Sequence, residues 1–347
     1  MKYLKILLVF VPLAILGELL HWNPLLVFAL SALGVVPLAG LLGEATEHLV
    51  VHTGPRVGGL LNATLGNAAE LIITIFALRA GLFDLVKASI TGSIIGNMLL
   101  IMGLSLMVGG LKHGHQRFNR SLAGVNATQL LLATAALAIP SLFSFSTDQA
   151  HPLSVDALSL WMAVVMIVLY LSGVLFSFRQ KDEGHDQHDQ HNGPVWRVRT
   201  SLLVLTVATV FIAWLSEILV GAVEPTVAVL GVSEFFLGII IIPLVGNIAE
   251  HLVAVQVAFK NQMDLSLGIS VGSSLQIALF VAPILVFISL LFGNELTLVF
   301  NAFEIITLFA AALIAAFVSL DGESNWLEGA QLLALYIIVA LAFFFLP

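Results

Sequence analysis

Two short segments, Gly66-Asn67-Ala68-Ala69-Glu70 and Gly246-Asn247-Ile248-Ala249-Glu250, each place a carboxylate near the middle of a long apolar run. An ionised side chain is costly at such a depth and calls for a functional reason. In both segments an asparagine stands three residues before the glutamate. On a helix that spacing puts amide and carboxylate on one face, where they can offer oxygens to a single ion. Carboxylates, amide oxygens and carbonyls freed by the preceding Gly66 and Gly246 suit a hard divalent cation such as Ca2+; the Cys and His favoured by structural zinc are not in the pattern. Two ionised glutamates neutralise one divalent ion, and the same two can carry protons instead. Cation and protons are therefore expected to compete for the same oxygens, with Glu70 and Glu250 titrating as a coupled pair.

Uncharged polar residues recur in the next apolar runs. Gly92-Ser93-Ile94-Ile95-Gly96-Asn97 and Gly272-Ser273-Ser274-Leu275-Gln276 are expected to complete or gate the site through Ser93, Asn97, Ser273, Ser274 and Gln276, although small polar residues also serve helix packing. His251 points about 100 degrees away from Glu250 on a helix and is a candidate for tuning or relaying protons. Glu44, Glu47, Glu217, Glu234 and Glu304 are further acids within or beside apolar runs. Of these, Glu217 and Glu304 are the candidates for a proton relay or an entrance. His48 and His52 have helix metal-pair spacing, but Glu47 precedes the first histidine where the zinc-protease motif needs the acid after it. An enzyme is not expected.

These residues must be held by membrane-spanning helices. Of the 347 residues, 59% are hydrophobic and 10% charged, against roughly 25% charged in soluble domains, and the mean hydropathy is +1.06. That composition excludes a soluble globular protein and makes nucleic acid an unsuitable partner, while the absence of cysteine excludes disulfides and thiolate sites. Apolar runs fall at 3–20, 24–43, 57–79, 83–109, 122–144, 155–178, 199–222, 234–258, 264–292, 296–319 and 327–346, which predicts an all-α integral membrane protein of about eleven spans. The first run, with Lys2 and Lys5, lacks a small-x-small cleavage pattern after Leu16 and reads as a span, not a leader. With the N-terminus cytoplasmic, eleven of the 13 Lys and Arg lie inside and only Arg79 and Lys87 outside. This bias supports the orientation, which leaves the C-terminus outside.

A shift of 180 residues lays the first glutamate segment on the second, and it stays in register from Asp84-Leu85 on Asp264-Leu265 to Gly92-Ser93 on Gly272-Ser273. The expected organisation is an N-terminal helix (1–22), a five-helix repeat (23–178), a cytoplasmic linker (179–198) and a second five-helix repeat (199–347). An odd number of spans per repeat inverts the second copy, a construction of secondary transporters that puts the substrate site near the midplane. The linker carries Asp182, Glu183, Asp186 and Asp189 among His185, His188 and His191, a candidate regulatory metal sensor or simply a solvated loop.

The two glutamate segments resemble the repeat motifs of the calcium/proton exchanger family, a branch of the calcium/cation antiporter superfamily. The likeness extends over Gly58-Gly-Leu-Leu-Asn-Ala-Thr64, Phe259-Lys260, Asp264, the stretch from Gly272 to Pro283, and Asp321-Gly-Glu-Ser-Asn-Trp-Leu-Glu-Gly329, so it covers nearly the whole chain. The resemblance implies that Glu70 and Glu250 bind Ca2+ and exchange it for H+, supported by Asn67, Asn247, Ser93, Ser273 and Gln276. It also implies a first helix outside a five-plus-five repeat and an acidic joining segment. The joining segment here is short and His-rich, and Ile248 stands where the family commonly has Ala. Ca2+ is then cargo, no cofactor is expected, and the setting is a prokaryotic plasma membrane, with a homo-oligomer compatible. A sodium/calcium exchanger is the nearest alternative, disfavoured because that branch carries hydroxyl-rich motifs around its glutamates where Asn stands here. A divalent cation channel is the other, and two acids on inverted repeats make one two-sided site, not a selectivity ring.

Overall fold

The computed structural model describes residues 4–146, 152–179, 195–293 and 295–346. After a 3-10 turn at Leu4–Val9 come α1 (Phe10–Leu19), α2 (Pro24–Leu65), α3 (Ala68–Arg79), α4 (Phe83–His113), α5 (Arg120–Ser146) and α6 (Pro152–Arg179). The second half holds α7 (Val198–Gly221), α8 (Val223–Leu230), α9 (Glu234–Phe259), α10 (Met263–Leu291), α11 (Ala302–Val318) and α12 (Trp326–Phe345). One antiparallel pair of two-residue strands, β1 (Gln116–Arg117) and β2 (Glu323–Ser324), ties the α4–α5 turn to the α11–α12 turn. A helix satisfies its own backbone polar groups, which is what an apolar surrounding demands. Eight of the described helical segments are long and apolar enough to cross a membrane.

Burial sorts the helices into layers. Within their most apolar windows α2 and α4 are 72% buried, whereas α6 and α12 are 22% buried and turn residues such as Trp161, Val165 and Ile337 outward. The interior is closed by fully buried side chains including Leu78, Met98, Leu106, Ile277 and Leu285. Helix α9 packs against α2, α3, α4 and α10, so both glutamate segments lie at the centre. Three of the long helices contain a π-helical turn: Gly96–Ile101 in α4, Leu237–Ile241 in α9 and Ile277–Val281 in α10. The first and third lie at the 180-residue offset, each directly after its polar Ser93 or Ser273 segment. Such turns insert one residue and redirect side chains, often at functional positions.

Three elements differ from the sequence expectation. The separate runs 24–43 and 57–79 are instead one helix to Leu65 and a fresh one from Ala68, with the chain turning at Gly66 and Asn67 (φ −98°, ψ 21°). The second copy does not turn there, since α9 is helical through Gly246 and Asn247. The run at 296–319 starts as non-helical chain, and α11 begins only at Ala302, because Asn301 and Glu304 form a reciprocal capping box. Three serines on other helices satisfy buried amides of that chain: Ser289 Oγ accepts from Leu296 N at 2.9 Å, Ser159 Oγ from Leu298 N at 3.1 Å and Ser141 Oγ from Phe300 N at 2.9 Å. Non-helical backbone at membrane depth survives only with such partners.

Candidate functional site

The turn at Gly66–Asn67 starts α3 and puts Glu70 in its first turn, 1% exposed. Ser93 Oγ of α4 donates to Glu70 Oε1, and Asn247 Nδ2 of α9 donates to Glu70 Oε2 at 3.3 Å. The Asn247 amide also lies 3.2 Å from both Ser93 Oγ and the Pro243 carbonyl. Thus the asparagine of the second motif reaches across to the glutamate of the first. Gly246 permits the approach, since a β-carbon there would stand 3.3 Å from Glu70 Cβ. Gly92 does the same for α4 on α9: its β-carbon would lie 2.0 Å from the Ile239 carbonyl oxygen.

Glu250, three residues after Asn247, shares its face of α9 and is half-buried. Its surroundings are of another kind. Glu250 Oε2 and Asn247 Oδ1 are both enclosed and have no hydrogen-bond donor among the described residues, although buried acceptors are nearly always partnered. The remaining polar groups form a second chain. His251 Nε2 lies 3.2 Å from Asn97 Oδ1, Asn97 Nδ2 donates to Ser273 Oγ at 3.0 Å, Ser273 Oγ donates to Asn67 Oδ1 at 3.1 Å, and Asn67 Nδ2 donates to Gln276 Oε1 at 2.6 Å. Glu70, Ser93 and Asn247 are therefore drawn into one polar chain, and His251, Asn97, Ser273, Asn67 and Gln276 into another. Ser274 is in neither, because its hydroxyl donates to Ser270 O on its own helix at 3.0 Å. Asp182, Glu183, Asp186 and Asp189 lie outside the described residues.

The other acids and histidines have separate partners. Glu44 pairs with Lys5 at 3.2 Å, and Glu217 stands 4.0 Å from Arg79 with both side chains exposed. Glu304 Oε2 accepts from Asn301 N at 2.9 Å and Oε1 from Thr91 Oγ1 at 3.0 Å, so this buried acid ties α11 to α4. Glu234 lines a recess of about 510 Å³ with Asp84, Lys87, Glu224 and Glu295. His52 Nε2 lies 2.8 Å from Trp196 O, and the His48 ring packs on the Trp196 ring at 4.5 Å. Those contacts were not foreseeable, because Trp196 is 144 residues from His52. The backbone-satisfying serines and Thr91 carried no signal either, since isolated hydroxyls in apolar runs have many uses.

Fold and site together define a multi-pass helical membrane protein with a buried carboxylate, Glu70, held by polar side chains of two other helices. The sequence profile of the family described as "Sodium/calcium exchanger protein" matches residues 23–179 and 200–345. The chain belongs to that family, and the calcium/proton exchanger resemblance of its motifs is borne out by its relatives. It is similar to the "Ca(2+)/H(+) antiporter ChaA" of Bacillus subtilis (strain 168), 44% identical over 97% of each chain. It is also similar to the "Ca(2+)/H(+) antiporter" of Aphanothece halophytica, 42% identical over 98% of this chain and 96% of the relative. The solved structure of native YfkE superposes with a TM-score of 0.87 at 42% identity, covering 99% of this chain and all of that one.

Proposed function

We propose that the protein is a secondary active antiporter that exchanges Ca2+, or a similar divalent cation, for H+ by alternating access. The observation that carries this reading is the donor-free pair Glu250 Oε2 and Asn247 Oδ1, enclosed beside Glu70. Buried acceptors without donors are destabilising until something positive reaches them. A hard cation bound by carboxylate and amide oxygens, or protons on the carboxyls, would do so. Two ionised carboxylates balance one Ca2+, and two protons balance the same charge. Either loaded site is neutral and able to pass a low-dielectric barrier, while the doubly charged empty site is held back. The relatives' names, at 42–44% identity over almost the full length, support the same exchange.

The 180-residue correspondence, with π-helical turns at matching places, supports two five-helix repeats of opposite orientation behind an N-terminal helix, eleven spans in all. Rocking of these repeats about the glutamates would expose them alternately. The Lys and Arg distribution supports a cytoplasmic N-terminus and an outside C-terminus in a plasma membrane. Sodium coupling is the second reading, favoured only by the family's description; asparagine in both motifs argues against it. The test is Ca2+ uptake by proteoliposomes under an imposed pH gradient, with and without Na+. Uptake should follow the pH gradient and ignore Na+. Uptake driven by a Na+ gradient alone would establish the second reading, and uptake without any counter-gradient would establish a channel.

A further inference from the structure

The two halves of the site differ at a few positions, and the differences are concentrated in one network. At the 180-residue offset Glu70, Asn67 and Ser93 match Glu250, Asn247 and Ser273, but Gln276 corresponds to Gly96, Asn97 to Ile277 and His251 to Leu71. Glu70 receives the Ser93 hydroxyl and the Asn247 amide. By symmetry Glu250 should receive Ser273 and Asn67. Instead Asn67 Nδ2 is held by Gln276 Oε1 at 2.6 Å, and Ser273, which is placed to bond either Glu250 or Asn67, has its hydroxyl 3.1 Å from Asn67 Oδ1. A hydroxyl has a single proton to donate. Asn97 holds Ser273 from the other side at 3.0 Å.

We propose that Gln276 is a positioning residue: it keeps the Asn67 amide nitrogen off Glu250 and so leaves Glu250 and Asn247 Oδ1 as the half of the site that first receives the cation. Glu70 joins afterwards, when Ser93 and Asn247 release it. The inference rests on the Ca2+ reading above and adds an order of binding. Without Gln276, nothing holds the Asn67 amide, which can turn to Glu250 as the Asn247 amide turns to Glu70. An N–H on the carboxylate then competes with Ca2+.

The experiment is equilibrium binding of 45Ca2+ to the full-length protein at one fixed alkaline pH, for a double-mutant cycle of Gln276→Met with Asn67→Asp. Asp has no amide proton to misdirect. Gln276→Met should weaken Ca2+ binding about tenfold, the competition of one charge-assisted hydrogen bond, and less than about twofold in the Asn67→Asp background. Equal loss in both backgrounds, or no loss in the native one, overturns the proposal. If Gln276→Met does not insert stably, Gln276→Gly, which copies position 96, makes the same cut with less bulk and is read in the same way. Absence of Ca2+ binding by the unmutated protein would instead overturn the Ca2+ reading, so the two failures are distinct.

Discussion

Replacing each glutamate by glutamine should produce the same loss of transport but different effects on folding. Glu70 accepts from Ser93 and from Asn247, and Glu70→Gln turns two charge-assisted bonds into neutral ones of roughly half the strength. One of the two donors also meets an amide NH2. At about 0.5–1 kcal/mol per weakened bond, the variant should lose roughly 1–2 kcal/mol of stability. Glu250 Oε2 has no donor to lose. Glu250→Gln removes a half-buried charge whose Oε2 has no donor among the described residues, so its stability should be unchanged or higher. Both should lose Ca2+ binding by about a hundredfold or more, because removing one partner of a buried charge interaction costs about 3–5 kcal/mol. Thermal unfolding in detergent at alkaline pH without Ca2+, paired with calorimetric Ca2+ titration, measures both quantities. Equal destabilisation of the two variants, or a less stable Glu250→Gln, would refute the reading that Glu70 is the more strongly hydrogen-bonded of the two carboxylates.

Apparent Ca2+ affinity should weaken as pH falls, since each proton bound to the pair removes one charge from the cation site. By linkage, the protons released on Ca2+ binding must match the slope of log affinity against pH; calorimetry in buffers of different ionisation enthalpy counts them, and affinity that is flat in pH with no release would separate the proton path from the glutamates. Gly246→Ala should lower transport at a stability cost of about 1–3 kcal/mol, because its β-carbon meets Glu70 Cβ at 3.3 Å. Gly92→Ala should not give a stably folded protein, since its β-carbon would lie 2.0 Å from a backbone oxygen; a Gly92→Ala protein as stable as Gly246→Ala would contradict that packing. Replacing Lys181 to His191 by a short neutral linker should leave exchange chemistry intact in the proteoliposome assay, and complete loss in a correctly inserted protein would place the segment in the pathway.

The sequence by itself determined the class of fold and singled out a candidate site. Long apolar runs satisfy their backbone as helices, and two carboxylates at membrane depth, each with Asn three residues earlier, point to Glu70, Glu250, Asn67 and Asn247 as the candidate site. The 180-residue register added Ser93 and Ser273 to the same set. Only the tertiary structure decided which donor serves which acceptor. Asn247 lies three residues from Glu250, yet its amide reaches Glu70, 177 residues away. The Asn67 amide likewise donates to Gln276, 209 residues distant. Helical periodicity fixes which side chains share a face, but hydrogen-bond direction depends on what the neighbouring helix presents, and that is non-local. The same holds for the chain before α11. Its hydropathy reads as part of a span, whereas its actual course depends on Ser141, Ser159 and Ser289 from three other helices taking over the amides that a helix would have satisfied.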